Sequence, residues 1–156
     1  KYKNFNNWGL LASNFYSDGN FSNILCTDNG PGTDSKVGKV RMNGKEVFKH
    51  AVEKLSSSLK DVIRDANLCV DDIDYLIPHQ ANIRIIDSLS KKLNFPKEKI
   101  INTVDIHANT SAASIPLALS HAVDNNIIKN GDIIAMNAIG GGLSWGASVI
   151  KFGKPN

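Results

Sequence analysis

Between residues 45 and 66, apolar side chains return every three or four positions: Val47, Phe48, Ala51, Val52, Leu55, Leu59, Val62, Ile63 and Ala66. Lys, Glu and Ser fill the other face. That period predicts an amphipathic helix with one buried stripe. Residues 81–93 repeat it through Ile85, Ile86, Leu89 and Leu93, and residues 111–123 predict a third helix. Pro116 falls early in that third segment, where a missing backbone N–H costs least. Elsewhere the apolar runs are short. Residues 8–16, 73–77, 100–104, 132–139 and 143–152 read as strands. The first stops at Ser17-Asp18-Gly19, the second at Pro78, and the last two are joined by Gly140-Gly141-Gly142. Residues 20–43 are polar and turn-rich around Asp28-Asn29-Gly30-Pro31-Gly32, and read as a long loop or flap with room for one short strand.

The predicted order is β, loop, α, β, α, β, α, β, β. Alternating strands and helices imply an α/β sheet with parallel central strands covered by helices. The short glycine turn makes the final two strands antiparallel.

Composition narrows this picture little. The chain has 156 residues, of which 42% are hydrophobic and 21% charged. That suits one globular unit rather than a disordered one. No apolar run nears the roughly 20 residues that span a bilayer, and no apolar leader with a cleavage site opens the chain. The net charge of +3 is spread along the sequence, unlike the dense basic stripe of nucleic-acid binders. Cys26 and Cys69 have no CxxC spacing, which favours a reducing compartment. The opening residues 1–7 begin at Lys1 without a methionine and read as the interior of a longer protein.

In α/β sheets, ligands gather at the carboxyl ends of strands. Three such ends carry chemistry: Pro78-His79-Gln80-Ala81-Asn82, His107-Ala108-Asn109-Thr110-Ser111 and Gly140-Gly141-Gly142. Singly each has an ordinary explanation. His79 could be a satisfied loop histidine, Asn109 a helix cap, and the glycines a tight turn. His50 and His121 lie in helical patterns and read as exposed, while His107 could face either way. No histidine has a metal-ligand spacing, so no metal site is assigned.

Together the stretches PHQAN, HANTSAAS and GGGLSWG resemble, in order and spacing, the carboxyl-terminal half of β-ketoacyl-acyl carrier protein synthase III, a thiolase-fold condensing enzyme. SDGN, MNGKEVFKHAVEKL and SVIKF extend the resemblance over about residues 8–152, with 63–152 the best-matching stretch. It implies one βαβαβαββ half of a layered α-β-α-β-α pseudo-dimer. It also implies fatty acid synthesis initiation: an acyl-coenzyme A starter, typically acetyl, condenses with malonyl-acyl carrier protein as carbon dioxide leaves. The substrates carry the phosphopantetheine arm, and no cofactor is bound.

Residue by residue, the resemblance makes His79 and Asn109 the catalytic pair and the Gly141 N–H an oxyanion donor. Gly44, Phe48 and Asn82 match positions lining the pantetheine or coenzyme A tunnel. Gln80, Ala81, Asn82, Ile83 and Arg84 match the segment for acyl carrier protein binding, with Lys49, Lys91 and Lys92 completing a basic rim. For those lysines a solvated helix face is an equally good reading. A malonyl thioester losing carbon dioxide leaves an enolate, and two neutral donors aimed at its oxygen stabilise charge that exists only near the transition state. A neutral imidazole and an amide fit that need. A glycine at 141 would leave room for the acyl thioester.

The family's nucleophilic cysteine lies in its amino-terminal half. A nucleophilic cysteine should sit at a helix N-terminus or beside a cation, and neither Cys26, in the flap, nor Cys69, after the long helix, matches the family's nucleophile context. The resemblance implies that amino-terminal half, a carrier protein and a second copy in a homodimer as partners, and neither nucleic acid nor membrane is expected. The resemblance implies a cytoplasmic location, or the stroma in a plastid-bearing organism. A non-catalytic partner subunit and a secondary-metabolite ketosynthase are the alternatives within the fold. A nucleotide-binding module lacks a helix after its glycines, and a serine hydrolase lacks GxSxG around Ser144.

Overall fold

The computed structural model describes residues 8–30, 32 and 35–154. Residues 1–7, with the expectation attached to them, and Pro31 in the flap lie outside the described residues. The long apolar period becomes helix α1 (Gly44–Asp65). Its N-terminus is capped by Asn43, whose side chain accepts the Glu46 N–H, satisfying one donor that the first turn leaves unpaired. Ala51, Leu55, Leu59, Val62 and Ile63 form its buried stripe. Each larger side chain among them contributes roughly 1.5–3 kcal/mol by burial.

The main sheet has strand order β1 (Gly9–Ser17), β6 (Ser144–Lys151), β5 (Ile133–Gly140), β4 (Tyr75–Pro78). β4 and β5 are parallel, whereas β6 runs antiparallel to both β5 and β1. Alternation along the strands sorts the core. Leu76, Ala135 and Val149 pack against α1, while Ile77 and Ile134 pack against helix α4 (Ser114–Asp124). Helix α2 (Ile83–Leu93) lies beside α1, where Ile85 and Leu89 meet Ala51 and Leu55. The result is three layers, helices on both faces of one sheet.

Two asparagines fix the height of α1 over the sheet. The Asn14 amide donates to the Ser58 carbonyl (2.9 Å) and the Asn137 amide to the Leu55 carbonyl (3.3 Å). The buried hydroxyls of Ser56 and Ser58 turn back onto the helix's own carbonyls. Small residues there let the helix approach closely enough for both amides to reach.

Three expectations change. Residues 100–104 do not form a strand: only Ile100 bridges to Leu76. The Thr103 N–H is taken by the Gln80 side chain (2.8 Å), and the chain then turns into the short helix α3 (Val104–His107). The flap holds two short strands rather than one, β2 (Leu25–Thr27) and β3 (Val40–Met42), paired antiparallel. Asp28 fastens that hairpin by accepting the Lys39 N–H (2.7 Å) and pairing with Arg41. These donors hold its carboxyl below the usual carboxylate range, the Lys39 N–H foremost. Finally, the first turn of the third helix is a tight turn at Ser111–Ala113, and the α-helix starts at Ser114.

Candidate active site

The three chemically loaded segments converge, although only two of them, after β4 and β5, are strand ends. His79, Asn109 and Gly141 line one cavity of about 1290 Å³. Its far wall is the hairpin, through Leu25, Cys26 and Met42, and its side wall includes Tyr16 stacked on Trp145 at 5.6 Å.

His79 follows β4, whose last residues are held by β5: its N–H donates to the Asn137 carbonyl at 2.8 Å. Its Nδ1 lies 2.6 Å from the Ser114 hydroxyl. Burial lowers the imidazole pKa below the ordinary 6.5, so the ring is neutral at neutral pH. Asn109 sits between two residues with left-handed backbone, Ala108 (φ 55°) and Ser111 (φ 53°). Its Oδ1 accepts the Ser111 N–H at 2.9 Å. A backbone donor can be met only by the oxygen of an amide, so the capping bond fixes the amide's orientation and leaves Nδ2 to donate elsewhere. The cap and the catalytic reading of Asn109 are thus one geometry.

Packing of the hairpin by itself requires a glycine at 141. A Cβ there would stand 2.9 Å from the Leu25 carbonyl oxygen. The hairpin backbone already occupies the space a side chain would need. Gln80 departs from expectation. It is fully buried, donating to the Pro78 (2.6 Å) and Ile101 (3.2 Å) carbonyls while accepting the Thr103 N–H. It is an internal bracket between two loops and presents nothing to a carrier protein.

Gly44, Phe48 and Asn82 stand outside the cavity lining, although Val47, Ala81 and Ile85 next to them belong to it. Asn82 caps α2 by accepting the Arg84 N–H (2.8 Å), and the Arg84 guanidinium lies 5.7 Å from the Phe48 ring. Lys49, Ile83 and Arg84 are exposed on the adjoining surfaces of α1 and α2. Lys91 and Lys92 are exposed at the other end of α2, where they complement its carboxyl-terminal dipole. His50 is not exposed, its ring lying tilted against Phe21 with centroids 4.2 Å apart. His121 is half-buried, edge-on to His107 at 6.3 Å.

Cys26 lies in the cavity wall on β2, opposite Arg41, whose guanidinium is occupied by Asp28. Cys69 lies outside the cavity, its thiol donating to the Asp72 carboxylate at 3.0 Å. Among the described residues, no cluster of three His, Cys, Asp or Glu could hold a metal ion, and no helix is long and apolar enough to cross a membrane.

Residues 63–152 match the family described as 3-oxoacyl-[acyl-carrier-protein] synthase III, C terminal. The chain belongs to this family. A synthase III from Wolbachia pipientis is 54% identical over 144 residues, covering 92% of this chain and 45% of that relative. One from Rhizorhabdus wittichii is 52% identical, with the same coverage of 92% and 45%. The crystal structure of the Aquifex aeolicus synthase III superposes with a TM-score of 0.88 at 39% identity, covering 96% of this chain and 46% of that one. That of Thermus thermophilus gives 0.88 at 37% identity, over 96% and 48%. The fold is therefore thiolase-like, and the chain spans about half the length of the synthase III relatives it matches.

Sequence reasoning missed Ser114, Asn137 and the hairpin wall. A signal for the hairpin existed: Leu25-Cys26-Thr27 and Val40-Arg41-Met42 are β-prone triplets flanking a glycine-rich turn.

Proposed function

We propose that this chain supplies the decarboxylating half of a condensing-enzyme active site, working in the initiation of fatty acid synthesis. The substrates would be an acyl-coenzyme A starter, acetyl in the first instance, and malonyl-acyl carrier protein. The supporting observation is that His79 and Asn109 reach one cavity from separate loops, each with its second polar atom already held. That leaves imidazole Nε2 and amide Nδ2 as a pair of neutral donors.

In this reading the malonyl thioester oxygen lies between those donors. The carbon–carbon bond to the carboxylate breaks, carbon dioxide leaves, and the electron pair spreads onto the thioester oxygen as an enolate. Fixed donors in a partly dry site stabilise that charge without reorganising. The α-carbon then attacks an acyl thioester held on a cysteine of the amino-terminal half. The resulting oxyanion takes the Gly141 N–H, and the cysteine thiolate departs.

The apolar exposure supports a missing partner. Phe15 (83%) on β1, with Val40 (71%) and Met42 (63%) on the hairpin, line the cavity yet stay uncovered. Apolar surface so concentrated marks an interface, and the amino-terminal half of the fold is the occupant that supplies the nucleophile. Gly44, Phe48 and Asn82 are proposed to guide the pantetheine arm at the entrance. Lys49 and Arg84 are proposed to meet the acidic carrier protein, more for encounter rate than for depth of affinity. A homodimer and a cytoplasmic location follow from the family in this reading.

The test is a His79→Ala variant of the two-half enzyme. It should still take an acyl group onto the cysteine yet fail to decarboxylate malonyl-carrier protein. Normal decarboxylation would remove His79 from the role.

A further inference from the structure

We infer that Ser114 is a positioning residue that fixes His79 in the tautomer with its proton on Nε2, through a hydroxyl that receives one hydrogen bond and passes on another. The inference rests on the proposed role of His79 as a donor and adds a residue that the role requires.

Ser114 is the first residue of α4 and is 2% exposed, so bulk water does not reach its hydroxyl. Two groups touch that oxygen. The Gln80 backbone N–H lies 3.2 Å away, and His79 Nδ1 lies 2.6 Å away. The backbone N–H can only donate, so it occupies a lone pair of the oxygen. If Nδ1 also carried a proton, the hydroxyl would accept twice, and its own proton would be buried without an acceptor. Among the described residues Ser114 Oγ has no other hydrogen-bond partner. An unsatisfied buried donor is costly. The arrangement that uses every group runs from Gln80 N–H to Ser114 Oγ, and from Ser114 O–H to a bare Nδ1. The imidazole proton is then on Nε2.

Helix polarity acts in the same direction. Ser114 brings Nδ1 to the amino-terminal end of an 11-residue helix. The positive end of the helix dipole disfavours an imidazolium beside it. The same stretch also aims Asn109 through the Ser111 N–H. Residues 109–114 therefore set both donors: one directly, the other through a hydroxyl.

Two variants test this in the full chain, labelled with 15N-histidine and paired with the unlabelled amino-terminal half of the Wolbachia relative. Long-range 1H–15N spectra distinguish a protonated ring nitrogen from a bare one. The wild-type chain should show His79 wholly as the Nε2–H tautomer, Ser114→Ala a mixture of both tautomers, and Ser114→Thr, which keeps the hydroxyl, the wild-type pattern. Ser114→Ala should lower kcat for malonyl decarboxylation about tenfold with KM little changed, and Ser114→Thr should recover most of it. A wild-type ring protonated on Nδ1, or a Ser114→Ala ring still wholly Nε2–H, would overturn the inference. The wild-type spectrum and the Thr variant keep the test decisive if the Ala variant does not fold. Tautomers as expected in a wild-type pair that never decarboxylates would uphold Ser114 while removing the proposed reaction.

Discussion

At the scale of single residues, the site works by denying its polar atoms any alternative. His79 and Asn109 each give one polar atom to a fixed partner, so the other has a defined direction. Removing either amide or imidazole donor should slow decarboxylation by roughly 10²–10³. Asn109→Ala distinguishes cap from catalyst: a lower melting temperature with full turnover would leave it a cap only. The pH dependence follows from burial. Because the His79 pKa is pushed below 6.5, its neutral form persists under mildly acidic conditions. Decarboxylation should therefore be flat through neutrality and fall only as pH drops past an inflection below that value. The sign is fixed, since protonation adds a charge the site does not solvate. A rate that rose on acidification would contradict a neutral donor. Strain is local too. Ala108 has φ 55° and ψ −160°, a region that is essentially glycine's own and costs about 1–3 kcal/mol. Ala108→Gly should raise unfolding free energy by about 1 kcal/mol once glycine's added chain entropy is subtracted, measured by urea denaturation.

At the scale of elements, the bracket through Gln80 joins the strand end that carries His79 to the loop leading into α3. Gln80→Ala strips partners from one buried N–H and two carbonyls, and should cost about 2–3 kcal/mol or more of stability. The KM for carrier protein should not change beyond what that loss of fold explains. The contrast with Arg84→Ala, which should slow encounter while leaving the melting curve unmoved, separates bracket from docking surface. Such roles are only partly legible in a sequence. The helices were, because α1, α2 and α4 repeat a three-to-four period over ten residues or more. Residues 100–104 look like a strand because Ile100, Ile101 and Val104 are β-prone. A side chain 23 positions earlier, Gln80, captures the Thr103 N–H and ends the pairing after one bridge. His79 could be read because its motif closes β4, whereas Asn109 follows α3 rather than a strand, and its motif could be read through the resemblance. Ser114 could not, since a serine opening a helix has an ordinary capping explanation and its contact with His79 spans 35 positions.

At the scale of the whole molecule, three helical and sheet layers build a core, yet one side stays apolar and open. β1 is an edge strand with Phe15 outward, and the hairpin projects Val40 and Met42 beside it. The chain alone should be poorly soluble and without condensing activity. Addition of an amino-terminal half should protect β1 and the hairpin from hydrogen exchange. Unchanged exchange there would mean the partner docks elsewhere. Cys26 in the cavity wall lies on β2 opposite an arginine already engaged by Asp28, and in the proposed reaction the nucleophilic thiol comes from the amino-terminal half.

The most direct measurement is carbon dioxide release from malonyl-acyl carrier protein by this chain co-purified with the cysteine-bearing half of the Wolbachia relative. The wild-type pair should release carbon dioxide and form β-ketoacyl-carrier protein, and His79→Ala should abolish both while the cysteine still becomes acylated. A correctly assembled wild-type pair that acylates its cysteine but releases no carbon dioxide, or a His79→Ala pair that releases it at the wild-type rate, would contradict the account.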